Sequence, residues 1–304
     1  MIHDFEPTTF HLSIGSHEPV LRVASGDTIR TWCVDSGGFG PEGEDLTDGG
    51  NPMTGPFYVE DAKSGDTLAV RLDRVRPNRS RGVSGARIAP NVLDPMFIPE
   101  YGSVDQREVW WTLDLDRRSA KLEDPPAGLA SLGEVKLDPM VGCFGVAPDR
   151  GQAISTATSG PHGGNMDYRG FREGVTVFFP VAAEGALFHI GDGHALQGDG
   201  EIVGTGIEVS MDVEVTLEVV KKRIRWPRAD DSTFVMAVGN ARPLDQAVQH
   251  ATTELVTLLH EDYGLDFPAV STLLGQFIRY DVGNVFDPAY TMVAKVEKAL
   301  VERL

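Results

Sequence analysis

The sequence predicts an α+β protein, predominantly β, in which antiparallel, sandwich-like sheets are followed by C-terminal helices. Two observations carry this reading. Most of the first 220 residues alternate apolar and polar side chains between turns, and from about residue 240 the apolar period lengthens to that of a helix. The clearest strand is Ile207 to Val219, with odd positions apolar and the even positions from Glu208 to Glu218 polar, so that one face is buried and the other meets water. Leu68, Val70 and Leu72 repeat the pattern around Arg71 and Asp73, as do Val109, Trp111, Leu113 and Leu115 around Trp110, Thr112 and Asp114. The string Ser-Gly-Asp-Thr occurs at 25–28 and again at 64–67, each time before a strand-like run, which reads as two hairpin entries.

Helical spacing begins with Leu244, Val248, Ala251, Leu255 and Leu258, with Pro243 suited to the first turn and Gly264 to the stop. Phe267 to Ile278 is expected to form a shorter helix. A last helix is expected from Asp287 as N-cap and Pro288 at the first helical position, with Val293, Val296 and Leu300 as its apolar stripe. These periods divide the 304 residues into a β-rich catalytic region, 1–220, and a C-terminal helical region, 221–304, packed on the same domain.

Composition narrows the function classes. Forty-five acidic against 27 basic side chains give a net charge of −18, which repels phosphate backbones and anionic lipid and argues against nucleic-acid and membrane partners. Some of these carboxylates can instead be gathered around a metal. No apolar run reaches the length of a membrane span, and Met1 to Glu6 has neither a basic start nor an apolar stretch, so no secretory signal is expected. Two cysteines, Cys33 and Cys143, fit a reducing compartment, and a cytoplasmic location follows as the expectation. The only dense basic patch, Arg71, Arg74, Arg76, Arg79, Arg81 and Arg87, reads as charge compensation. The long loops Asp35 to Gly55 and Pro77 to Pro99 are of functional length.

Chemistry concentrates between His162 and Glu201. Gly160-Pro161-His162-Gly163-Gly164-Asn165-Met166-Asp167 holds a histidine and a carboxylate among glycines, and Gly191 to Glu201 holds Asp192, His194, Asp199 and Glu201 in the same setting. The glycines predict loop or strand-edge backbone. In extended chain, residues two apart point the same way, so Asp192 and His194 face one point, as do Asp199 and Glu201. Imidazole and carboxylate together suit zinc, while carboxylates with backbone carbonyls suit calcium. A strand pair, Val175 to Val181 and Ala186 to Ile190, would return the chain and bring the two segments together. No Gly-x-Ser-x-Gly elbow and no phosphate loop in strand-to-helix context is present.

These segments resemble the two signature segments of the acetamidase/formamidase family. The likeness extends to Asn51-Pro52-Met53-Thr54-Gly55-Pro56, Gly145-Val146-Ala147-Pro148 and Gly204-Thr205-Gly206-Ile207-Glu208, and covers most of the chain from about 10 to 290. The resemblance implies hydrolysis of formamide or acetamide to ammonia and the acid, a β-rich fold with sandwich-like parts, and a homo-oligomer. By matching position it makes Asp167, Asp192, His194 and Glu201 site residues, with Asp35 as a further one. The expected arrangement is a divalent metal, zinc or calcium, held by His162, Asp167, Asp192 and His194. Glu201 or Asp35 would relay the proton of a metal-activated water, and Gly163, Gly164 and Asn165 would let backbone approach a small amide. Two other readings compete. One is a non-catalytic, calcium-stabilised β-sandwich that binds a ligand; the other is an amidase with Cys143 as nucleophile.

Overall fold

The computed structural model describes residues 1–102 and 104–303. A nine-stranded sheet runs in the order Ile2–Asp4, Asp27–Cys33, Met211–Val220, Thr67–Pro77, Thr176–Pro180, Arg228–Asp230, Phe234–Ala241, Tyr290–Glu297, Arg279–Asn284. A seven-stranded sheet includes, as neighbours, Ser159–Gly160, Gly163–Asn165, Met140–Val146, Phe188–His194, Met53–Val59 and Phe10–His11, with Leu21–Val23 also on Met53–Val59. One core lies between the two: Leu68, Val70, Leu72, Val213, Val215 and Leu217 from the first sheet meet Phe57, Phe144, Val146, Phe188 and Ile190 from the second. Phe144 anchors it, with edge-on contacts to Phe171 and Phe179 at 5.2 and 5.3 Å between centroids. A smaller four-stranded sheet, formed within residues 81–136, sits beside them.

The alternation from Met211 to Leu217 holds residue by residue, odd positions buried and even ones half-buried. The two Ser-Gly-Asp-Thr strings are turns, but not hairpin entries. Leu21–Val23 and Met53–Val59 belong to the seven-stranded sheet, whereas the strands after the turns, Asp27–Cys33 and Thr67–Pro77, belong to the nine-stranded one. Each turn therefore carries the chain across the core. The strand pair expected at 175–181 and 186–190 is corrected for the same reason. Thr176–Pro180 pairs with Thr67–Pro77, and Phe188–His194 pairs in the other sheet.

The helices Leu244–Tyr263 and Phe267–Phe277 form as expected, the first ending on a left-handed Gly264. They pack Leu255, Leu258, Leu259, Val270 and Leu274 over Val235, Ala237, Ala294 and Val296 in a second core. Glu254 joins that buried face because Arg228 Nε donates to it at 2.7 Å. The last expected helix is instead the strand Tyr290–Glu297, followed by one helical turn, Lys298–Val301. It pairs along its whole length with Phe234–Ala241 and lies between two cores, Val293 facing one and Ala294 and Val296 the other. Burial on both faces erases the period-2 signal and leaves a spacing that mimics a helix. Residues 221–304 thus supply four strands to the main sheet as well as helices. No helix among the described residues is long and apolar enough to cross a membrane.

Leu217, fully buried, and its neighbour Glu218, exposed, test the assignment of faces. Leu217→Ala is expected to cost about 2–5 kcal/mol in urea unfolding and Glu218→Ala less than about 0.5 kcal/mol. Equal effects would contradict it.

Candidate functional site

Three adjacent strands build the floor of the site. Met140–Val146 pairs with Gly163–Asn165 on one side, Cys143 opposite Asn165, and with Phe188–His194 on the other, Cys143 opposite Gly191. The two glycine-rich segments therefore do converge, but through this intervening strand. Phe188–His194 is buried along its whole length, where loop or strand edge was expected. A side chain at Gly191 would begin 2.6 Å from Met53 Cε, and one at Gly193 2.7 Å from Met211 Cβ. Glycine here permits close packing and does not break the strand.

Gly142 opens the space that the site occupies. A methyl group there would overlap Asp167 Oδ1 and lie 2.7 Å from Asp192 Oδ2, so the two carboxylates meet over a missing side chain. Asn51, Asp167, Asp192 and Glu201 all have left-handed backbone, at φ 64°, 44°, 61° and 47°. Such conformations cost on the order of 1–3 kcal/mol each and persist where the surroundings impose them.

Two groups of ligand-type side chains result, Asp167–His194–Glu201 and Asp192–His194–Glu208, all buried and sharing one imidazole. Asp287 adjoins them. Its carboxylate accepts hydrogen bonds from the Asn165 and Asn284 amides. The site thus concentrates five carboxylates around His194, whose Nε2 is 3.0 Å from Glu208 and 3.3 Å from Asp192. Asn284 Nδ2 lies 2.7–2.9 Å from oxygens of Asp167, Glu201 and Asp287, so its two protons face three acceptors. Asp167 Oδ1 and Glu208 Oε2, one in each group, are buried with no hydrogen-bond partner among the described residues. A divalent cation fits this donor set of imidazole and carboxylate and this shortage of positive charge.

The titration behaviour follows from the same crowding. Burial, then the charges of Glu201 and Asp192, push Asp167 well above the usual carboxylate range. Burial does the same to Glu201, against the pull of His194. Asp287 is raised to about 6, first by burial. Glu208 rises through burial, partly offset by His194 and by the Ser36 hydroxyl. Asp192 is the exception: burial opposes its charge, yet His194 and the amide of Asn51 hold it below its ordinary value. His194 is raised well above the usual histidine range, the carboxylates of Glu208 and Asp192 outweighing burial.

Of the expected residues, Asp167, Asp192, His194 and Glu201 come together, with Asn165 beside Asp287. Gly163 and Gly164 pair with Gly145 and Phe144, close to the cluster in the floor. His162 stands in neither group; it is buried in the turn before Gly163, and burial lowers it to about 4. Asp35 is fully buried, ion-paired to Arg79 and accepting from the Phe39 amide, so its charge is already spent on the loop that follows. That loop closes on itself, Asn51 N–H donating to Ser36 O, and brings Ser36 to Glu208 and Asn51 to Asp192. Asp199 does not share a direction with Glu201; it is ion-paired with Arg169 at the surface. Five of the six clustered arginines are likewise ion-paired. Cys143 is corrected as a nucleophile: it is fully buried, and burial followed by the charges of Asp192, Asp167 and Asp287 keeps its thiol protonated.

Sequence reasoning missed Glu208, Asn284 and Asp287. Glu208 continues the alternation that was assigned to the water face, yet it precedes the strand and is buried. Asp287, expected as a helix cap, lies in the turn between the last two strands of the nine-stranded sheet. Gly200 hydrogen-bonds the edge strand at Val282 and Val285, which sets Glu201 beside Asn284.

Two outcomes follow. Gly142→Ala is expected to abolish cation binding, read by calorimetric titration, while leaving the far-ultraviolet circular dichroism unchanged; normal binding would contradict the packing described. In cation-free protein Asp287 titrates near about 6 when native against 3.8 ordinarily, so the native state holds its proton more tightly. Its contribution is complete below pH 3.8, is lost as pH rises through about 6, and amounts to roughly 3 kcal/mol. Asp287→Asn should remove that fall from urea unfolding measured in chelator at stepped pH, and an unchanged pH dependence would contradict the assignment.

The acetamidase/formamidase family model matches residues 147–253, a span that includes His162, Asp167, Asp192, His194, Glu201 and Glu208. A protein of Schizosaccharomyces pombe, provisionally named a formamidase, is 25% identical over 256 residues, 66% of this chain and 62% of its own length. The chain therefore spans less than two thirds of that curated relative. A recombinant acetamidase/formamidase of Thermoanaerobacter tengcongensis, so assigned by prediction, superposes with a TM-score of 0.85 at 27% identity, covering 100% of this chain and 98% of that one. The acetamidase of Bacillus halodurans superposes at 0.84 with 27% identity, covering 99% of both chains. The chain is thus similar to the acetamidase/formamidase family over residues 147–253, and to solved members of it in fold over its whole length.

Proposed function

We propose that this protein hydrolyses short aliphatic amides, formamide or acetamide, to ammonia and the carboxylic acid, with a divalent cation in the buried cluster. The observation that carries the reading is the cluster itself, five carboxylates and one imidazole with an unpartnered buried oxygen in each ligand group. The acetamidase and formamidase names of its relatives support the substrate class. Asp192, His194 and Glu208 form a mixed nitrogen and oxygen set suited to zinc, while Asp167 and Glu201 with the Asn284 neighbourhood offer oxygens suited to calcium.

Amides are poor electrophiles, and the amine must be protonated before it leaves. When bound, a divalent cation would polarise the carbonyl and acidify a water at neutral pH. The chain's own residues supply the rest. Asp287, raised to about 6, is half-buried and exchanges a proton at its carboxyl near neutrality, taking it from the attacking water and giving it to the departing amine. Glu201, whose carboxyl burial pushes above its ordinary range, stands beside it on the shared Asn284 amide. Asn165 and Asn284 both donate to Asp287 Oδ2 and hold that carboxyl, and Asn51 fixes Asp192 at 3.1 Å. Such a small substrate offers few remote contacts, so rate must come from this preorganisation.

Near-complete burial of the cluster also favours a second reading, a structural calcium site in a non-catalytic binding protein. Ammonia release from formamide and acetamide separates the two. The proposal expects activity that disappears with chelation and returns with zinc or calcium, and Asp192→Asn and His194→Ala that lose metal and activity together. Metal-bearing protein that releases no ammonia from either amide would favour the structural reading, and full activity in metal-free protein would refute the role of the cation.

A further inference from the structure

Gln197 lies on the stretch of chain between His194 and Glu201, and it is buried. Its amide makes three contacts. Oε1 is 2.7 Å from His194 Nδ1, and Nε2 is 2.6 Å from the backbone oxygen of Asp167 and 3.4 Å from that of Gly283. Carbonyl oxygens only accept, so the side of the amide that faces Asp167 and Gly283 must be the NH2 group. The reverse orientation would press the Gln197 oxygen against two carbonyls. Chemistry therefore fixes the amide, and through it the ring: His194 Nδ1 must carry a proton and donate it to Gln197.

We infer that Gln197 is the positioning residue that sets the tautomer of His194 and directs Nε2 at the cation site formed with Asp192 and Glu208. This rests on the cation reading of the site given above. Nδ1 is used up by Gln197, so one nitrogen remains, and it is the one lying 3.0 and 3.3 Å from the two carboxylates. The same side chain ties the backbone of Asp167, whose φ of 44° is held against its own preference. One amide thus links the imidazole shared by both ligand groups to the backbone of Asp167. Outer partners of this kind, which orient a ligating imidazole through its second nitrogen, typically change metal affinity by roughly 10- to 100-fold when removed.

The test combines nitrogen NMR with calorimetry on the full chain. In protein with 15N-labelled histidine, which has eight such residues, the His194 signals are assigned by their loss in His194→Gln. Wild type is expected to show Nδ1 protonated with and without cation; a neutral ring protonated only at Nε2 would overturn the inference before any Gln197 variant is made. Gln197→Met keeps the length and removes both hydrogen-bonding functions. It should bind zinc roughly 10- to 100-fold more weakly than wild type. Zinc affinity unchanged in Gln197→Met would overturn it. Failure of the wild type to bind any divalent cation would sink the cation reading instead, and the nitrogen signals would still decide what Gln197 does.

Discussion

Concentrating negative charge away from water is the constraint on which the rest of this structure depends. Asp167, Asp192, Glu201 and Glu208 are each 6% exposed or less, Asp287 is half-buried beside them, and the one imidazole cannot neutralise them all. An isolated buried carboxylate is costly enough that it takes up a proton or finds a cation. Here both responses are visible. Four of the five are pushed up towards their protonated forms, while Asp192 alone is held ionised by His194 and Asn51. A cluster of this kind is poorly suited to stability and well suited to holding a cation and moving protons.

The architecture exists to impose that crowding. Gly142 removes the side chain that would otherwise separate Asp167 from Asp192, and Gly191 and Gly193 let the carrying strand press against Met53 and Met211. The edge of the nine-stranded sheet contributes Asn284 and Asp287, and the closed loop from Ser36 to Asn51 contributes both of its ends. That loop is fastened by the buried Asp35–Arg79 ion pair. Asp35, matched to the family by position, is here committed to fastening that loop. Four left-handed backbone positions show how far local preference is overridden to bring these groups together.

Much of this was legible in the sequence, and the gaps have physical causes. Alternation located Met211–Val220 and helical spacing located Leu244–Tyr263, because each element has one wet face. Tyr290–Glu297 was misread as helix because both its faces are dry. In the site, Asp192 and His194 could be paired by their i, i+2 spacing in a strand, and their contact at 3.3 Å bears this out. Glu201 could not be placed that way, since its direction is set by a turn with positive φ and by Gly200 on the sheet edge. Asn284 and Asp287 lie more than 80 residues from Glu201 in sequence, and only sheet order brings them back. Glu208 was hidden by the regularity of the strand it precedes.

The central claim is that a divalent cation completes the charge balance between Asp192, His194 and Glu208. Diffraction from crystals of the purified protein, recorded on either side of the zinc absorption edge and at a long wavelength for calcium, tests it most directly. The account predicts an anomalous peak bonded to His194 Nε2 and to oxygens of Asp192 and Glu208. Crystals that turn over amide and show no such peak, with water among the carboxylates, would contradict it.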